Sequence, residues 1–356
     1  MGLYENHNNL CSALFSVIAK IERESNNENV GIGVHGIIET LAPLVNGASG
    51  VTAQYINSPK LLNAINQRPP ADSKVKVAVG IYARGEKLGI SSSDNYITTS
   101  LSESSKAICR INKIFFNKTH MNNVMDPTIG NDVKLYISGV TKLDDIWKEH
   151  FEDYGSGEFF INPNKRIMVS IIGGDYSKLP TSLMLRDDGA DIYQMHLDGG
   201  DYLVVVIPNK IASFDELIEL NEKIDWGSLH HTFNENISTK LILPTFKVKY
   251  NSMNLDKAFS FAGPGATWNL SRLFDDDRDI SNILKNKDFK CQNILLTTSY
   301  EITVNVRGVS SSSVSDLYCY DCINNNIITE INRPFLYGIL TRDGMVVDMG
   351  IIMNPE

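Results

Sequence analysis

Helical spacing dominates the chain up to about residue 120 and strand patterning dominates it after about residue 132, an order that confines it to α+β architectures. Residues 10–24, LCSALFSVIAKIERE, place Leu10, Leu14, Val17, Ile18 and Ile21 on one helical face. VGIGVHGIIETLAPLVNGASG, from Val30, reads as a short strand running into a buried helix that stops at Gly47, and VTAQYINSPKLLNAI reads as another helix. VKVAVGIYAR alternates as a strand, and ESSKAICRINKIFFNKTH returns to helical spacing. Then come the strand patterns DVKLYISGV, RIMVSIIGG, TSLMLRD, ADIYQMHL and DYLVVVIP, the last apolar on both faces and so expected to be covered on both. A helix at SFDELIELNEKI precedes ISTKLILPTFKVKYNS and ILLTTSYEITVNVRG. The closing runs PFLYGILTRD and MVVDMGIIMNPE are joined at Asp343-Gly344, a hairpin signal. No internal repeat and no break in composition divides the chain, so residues 1–356 are expected to form one domain.

A net charge of -9 without a Lys/Arg cluster argues against a nucleic-acid partner, since nothing would displace phosphate counterions. No run reaches the about 18 apolar residues of a membrane span. The N-terminus has no basic lead-in before ALFSVIA and no small-residue cleavage site, and the five cysteines are an odd number. Both features point to a cytoplasmic protein with reduced thiols. GIGVHG (Gly31, Gly33, Gly36) has dinucleotide-loop spacing, but polar residues precede it, so close backbone packing is the better reading. The neighbours His230 and His231, with Glu235, lack a metal-ligand spacing, and Asp275 to Asp279 lack the order of a calcium loop. No catalytic motif is visible, and neither a cofactor nor a metal is expected. Cys319 and Cys322 form a lone C-x-x-C, a thin basis for zinc or redox chemistry.

One stretch resists a generic reading: RGVSSSSVSDLYCYDCINNN, residues 307–326. Taken alone, its serines would be a linker. About 20 residues later comes NRPF (Asn332 to Phe335), and after it Met349-Gly350 and Asn354-Pro355; this block is similar to the C-terminal signature of the serpin family. Further blocks resemble that family in order: Gly47, Gly50 and Thr52 after the buried helix, Ile111, Asn112 and Thr119, Trp147 and Phe151, LVVVIP, and Leu243, Pro244, Phe246 and Val248. The resemblance implies a fold of three β-sheets and about eight or nine helices, with an exposed reactive-centre loop at about 308–328. It implies a monomeric protein that is not an enzyme but a protease inhibitor. In such a protein a protease cuts the loop as a suicide substrate, and the cut loop enters the main sheet as a new strand.

Insertion makes its own demand on sequence, because alternate side chains must fit two covered faces. Val309, Ser311, Ser313, Ser315 and Leu317 would form one face, and Ser310, Ser312, Val314 and Asp316 the other, small and free of proline. The hinge is therefore expected at Gly308, Val309, Ser310, Ser311, Ser312, Ser313 and Val314. The loop resembles that of poxvirus intracellular serpins of the cytokine response modifier A type, which implies a scissile bond at Asp321-Cys322; the commoner spacing from Gly308 gives the bond after Cys322. Aspartate is the residue that the basic pockets of caspases and granzyme B demand. Tyr318, Cys319 and Tyr320 would supply recognition, the aromatic four positions before the cut suiting inflammatory caspases. The implied partner is a host protease in the cytoplasm, with neither nucleic acid nor membrane involved. Val306 and Arg307 depart from the usual pair of glutamates, Val309 from threonine, Gly33 and Gly36 from two serines, and Thr298 from a histidine. A non-inhibitory serpin, a binding or scaffold protein whose loop is only a substrate, follows if Arg307 and Val309 slow insertion.

Overall fold

The computed structural model describes residues 3–24, 29–56, 58–84, 88–90, 96–99, 103–130, 132–255, 270, 273, 278–283, 294–310 and 327–356. The six α-helices among them are α1 (Glu5–Glu24), α2 (Val34–Gly47), α3 (Gly50–Ile56), α4 (Pro59–Asn66), α5 (Ser104–Thr119) and α6 (Phe214–Lys223), with a 3-10 turn at Leu229–Thr232. The first strands are β1 (Val30–Ile32), β2 (Lys76–Ala83), β3 (Tyr96–Thr99), β4 (Leu135–Lys142), β5 (Asp145–Ile146), β6 (Phe151–Asn162), β7 (Lys165–Ser182), β8 (Ala190–His196) and β9 (Tyr202–Pro208). After α6 follow β10 (Glu235–Pro244), β11 (Phe246–Asn254), β12 (Ile294–Asn305), β13 (Gly308–Ser310), β14 (Ile328–Glu330), β15 (Phe335–Leu340) and β16 (Val346–Ile352).

These strands form two sheets. One, here the main sheet, runs β3-β2-β4-β12-β13-β5, with β11 on the other edge of β12. The second runs β1-β16-β15-β9-β8-β7-β10-β14, with β6 on β7. The expectation of three sheets and eight or nine helices is thereby corrected for the described residues. The cause lies in β7, an unbroken strand of 18 residues that pairs with β6 and β8 and, from Ile171 to Thr181, with β10. Strands that a third sheet would have held are thus hydrogen-bonded into the second.

Side-chain alternation explains the layers. On β9, Val204 and Val206 face the core built with α1, α2, α4 and α6, whereas Leu203, Val205 and Ile207 face the core between the sheets, so the apolar run is covered on both sides as expected. The helix α5 covers the outer face of the main sheet, packing Ile108, Ile111 and Phe115 with Tyr82, Tyr136 and Val140. The helix read across residues 51–65 is two: Ser58 caps α4 by accepting from the Leu61 N–H at 3.1 Å, with Pro59 at its first turn, where a proline loses no helical hydrogen bond. TSLMLRD is a strand only as far as Ser182, after which it turns. The strands β3, β5, β6 and β14 escaped the sequence pattern, and the short β5 and β14, of two and three residues, are too brief to show any alternation. β6 is long enough to show one, but it holds Gly155 and Gly157 and alternates poorly because it is an edge strand, exposed at many positions.

Candidate functional site

The expected hinge meets the main sheet where two of its strands part. β4 and β12 lie side by side, parallel, through seven residue pairs from Ile294↔Leu135 to Tyr300↔Thr141. Beyond Tyr300, β12 continues to Asn305, while the chain after β4 continues to β5, and β13 fills the space between them. β13 pairs antiparallel with both neighbours: Thr303↔Ser310, Val304↔Val309 and Asn305↔Gly308 on one side, Gly308↔Ile146 and Val309↔Asp145 on the other. Gly308, Val309 and Ser310 are thus a wedge at the open end of the β4·β12 seam.

Local chemistry holds the wedge. The turn before it is fastened by Trp147, whose indole N–H donates to the Asn305 carbonyl at 2.8 Å and whose backbone N–H donates to the Arg307 carbonyl at 2.9 Å. The Asn305 side chain accepts from the Arg307 N–H at 2.9 Å. Gly308 must be glycine, because an added Cβ would lie 2.1 Å from the Asp145 carbonyl oxygen and 2.5 Å from the Ile146 Cα. Val309 is fully buried in the core shared by Leu143, Trp147 and Val304, whereas Arg307 is exposed in the turn. Of the departures at 307 and 309, the charge thus stays outside the sheet and the apolar side chain lies within the core. Ser311, Ser312, Ser313, Val314, Tyr318, Cys319, Tyr320, Asp321 and Cys322 lie outside the described residues, as do Asp275 to Asp277.

Below the wedge, hydroxyl groups bridge the seam. On the α5 side, the Thr297 Oγ1 donates to Ser138 Oγ at 2.8 Å, with the Tyr136 phenol at 3.2 Å as a second acceptor. Ser138 Oγ in turn donates to the Val124 carbonyl at 3.2 Å. On the α2 side, Thr298 Oγ1 donates to the Gly139 carbonyl at 3.3 Å. The floor there is α2 itself: a Cβ on Gly33 or Gly36 would come within 3 Å of Thr141 Oγ1, which identifies GIGVHG as a packing surface for the seam.

A buried carboxyl missed in the sequence analysis anchors the top of β12. Tyr300, in the last pair of the seam, donates its phenol hydrogen to Asp348 Oδ1 on β16 at 2.7 Å, and the Tyr337 hydroxyl on β15 lies 2.9 Å from that of Tyr300. Burial pushes the Asp348 carboxyl well above the usual carboxylate range, against the opposing hydrogen bonds from Tyr300 and the Met349 backbone. Its detectable signal in the sequence was a lone charge inside the apolar run MVVDMGII. A carboxyl raised in the folded state adds stability that is complete below its unfolded pKa and is lost as the pH rises through the folded one. Asp348→Asn should therefore close its deficit in melting temperature against the wild type as the pH is raised from 4, and a gap independent of pH would dismiss this account.

Of the metal-ligand candidates, His230 has a packing role. His230 accepts from, or donates to, the Tyr202 hydroxyl at 2.8 Å through Nδ1 and stacks on its ring. Among the described residues no group of three His, Cys, Asp or Glu is placed to hold a metal, and no helix is long and apolar enough to cross a membrane. Of the C-terminal block, Arg333 donates to the Pro208 carbonyl at 2.6 Å and Phe335 is fully buried, so these residues hold the strands next to the loop's far end.

No curated protein sequence matches the chain. Among solved structures, Serpin48 of the insect Tenebrio molitor is similar at 17% identity over 99% of this chain and 98% of that one, with a TM-score of 0.74. A serpin of the trematode Schistosoma haematobium is 17% identical over 99% and 100%, with a TM-score of 0.71. A structure described as cleaved serpin 42Da is 16% identical over 99% of each chain, with a TM-score of 0.78. The family model described as Serpin (serine protease inhibitor) matches residues 5–355, and this chain belongs to that family.

Proposed function

We propose that the chain is a suicide-substrate inhibitor of an Asp-specific host protease, cut at Asp321-Cys322 and acting in the cytoplasm, in the manner of the poxvirus serpins its loop resembles. The observation that supports this reading is the wedge: Gly308–Ser310 already pair between β12 and β5, and β13 runs toward the β4·β12 seam, which an entering segment would extend. In the reaction, the protease nucleophile adds to the Asp321 carbonyl, the bond to Cys322 breaks, and the Cys322 amine leaves with the C-terminal segment. The acyl-enzyme would ordinarily be hydrolysed. Here the freed loop enters between β4 and β12, exchanging one parallel ladder for two antiparallel ones, and carries the protease away before water completes the turnover.

Selectivity would reside in Asp321, because a protease pocket built around basic groups leaves them unpaired with any other side chain. Tyr318, Cys319 and Tyr320 complete the recognition sequence, favouring an inflammatory caspase, with granzyme B as the other candidate. The test is incubation with each protease while residual activity and complex formation are followed. The expected outcome is loss of activity with a covalent complex stable to denaturant. Cleavage with full recovery of protease activity would instead make the chain a substrate, and its role that of a binding or scaffold protein.

A further inference from the structure

The wedge fixes a register, and the register can be continued downward. From Thr303↔Ser310 and Val304↔Val309 on β12, and from Val309↔Asp145 on β5, each further residue of the loop steps one residue back along both neighbours. Both continuations bring Ser313 to Tyr300 on one side and to Thr141 on the other, and those two residues are paired with each other in the closed seam. This agreement between independent edges shows that no residue need be skipped. Three steps on, Asp316 comes between Thr297 and Ser138. Ser315 comes beside Thr298 and Gly139, and Leu317 beside Leu296 and Ile137, both core residues.

We propose that Thr297 and Ser138, with Tyr136 beside them, are the receiving site for the Asp316 side chain of segment 311–317. This inference rests on the insertion proposed above. In the closed seam Thr297 and Ser138 are hydrogen-bonded to each other at 2.8 Å. A strand entering between them would move them apart by about 4.8 Å, the spacing of one more strand, and so break that bond. Both residues are buried, at 3% and 0% exposure, and Thr297 would keep a hydroxyl proton with no acceptor across the gap. Of the residues from Val309 to Leu317, Asp316 alone carries a carboxyl, with two acceptor oxygens, and the register delivers it to the step where the hydroxyl-to-hydroxyl bond of the seam must be replaced, while Ser315 falls at the Thr298–Gly139 bond. It also delivers it to the correct face: Thr297, Ser138 and Tyr136 all point to the α5 side, and Asp316 has their parity. An acid in an otherwise uncharged inserting strand is thereby explained.

The test is a double-mutant cycle of Asp316→Ala with Thr297→Val, performed on the intact protein and on protein cut between residues 318 and 326 by an endoprotease, the site being verified by mass. Unfolding half-life in guanidinium chloride is the readout. The expected result is coupling of about tenfold in half-life in the cleaved form and simple additivity in the intact form. Additivity in both forms, with cleavage still prolonging the wild-type half-life, would overturn the receiving site and leave insertion standing. If cleavage does not prolong the wild-type half-life, insertion falls and takes the receiving site with it. Should Thr297→Val fail to fold, Ser138→Ala replaces it in the cycle under the same criteria. Asp316→Lys gives a second reading: the cleaved variant should keep a half-life like that of intact protein, and a gain equal to the wild type's would refute the site.

Discussion

Asp321→Ala is expected to reduce the rate of complex formation with an Asp-specific protease by about three orders of magnitude or more, since a pocket built for a carboxylate is left with unpaired buried groups. Nothing else need change. Residue 321 lies beyond β13 and before β14 in the sequence, so the melting temperature of the intact protein should match that of the wild type. The leaving fragment supplies the register directly. Its N-terminal residue should be Cys322; Ile323 would move the scissile bond one residue on, and inhibition that survives Asp321→Ala would discard the bond altogether.

The second large effect concerns the entering strand. Continuing the wedge places Ser313 at the mouth of the seam, between Tyr300 and Thr141 and above the part of α2 where Gly33 and Gly36 leave no room for more atoms. Ser313→Arg would have to bury a long cation there without a partner, at a cost of several kcal/mol. Insertion should stall while cutting at Asp321 proceeds, so the molecules of inhibitor consumed per protease inactivated should rise about tenfold or more. The stoichiometry is read by titrating a fixed amount of protease, and an unchanged value would mean that the seam admits the strand in another register or does not admit it.

Much of this architecture was legible in the sequence because its elements announce themselves locally. The apolar run Leu203 to Ile207 predicts a strand covered on both faces, and β9 is one. The capping box of α6, with Ser213 and Glu216 satisfying each other's backbone N–H groups, is written in four letters. The motif blocks single out the chain around Gly308 without any knowledge of its pairing. What sequence could not supply was pairing between distant strands. The merging of strands into the second sheet depends on β7 remaining unbroken through Gly173 and Gly174, where local propensity suggests interruption. The Tyr300–Asp348–Tyr337 group joins residues 37 and 48 positions apart, and no local periodicity records such a link.

The seven parallel pairs between β4 and β12 have a further consequence for the proposed inhibitor. On insertion they are given up once, in exchange for a more extensive set of pairs, and nothing in the cut chain can restore them, because the peptide bond that held the loop outside the sheet is gone. Each molecule therefore counts for a single event. The capacity of such a protein in a cell is set by the number of copies made rather than by any turnover, and its effect on a protease should show a threshold: small amounts of enzyme silenced completely, and any excess left fully active.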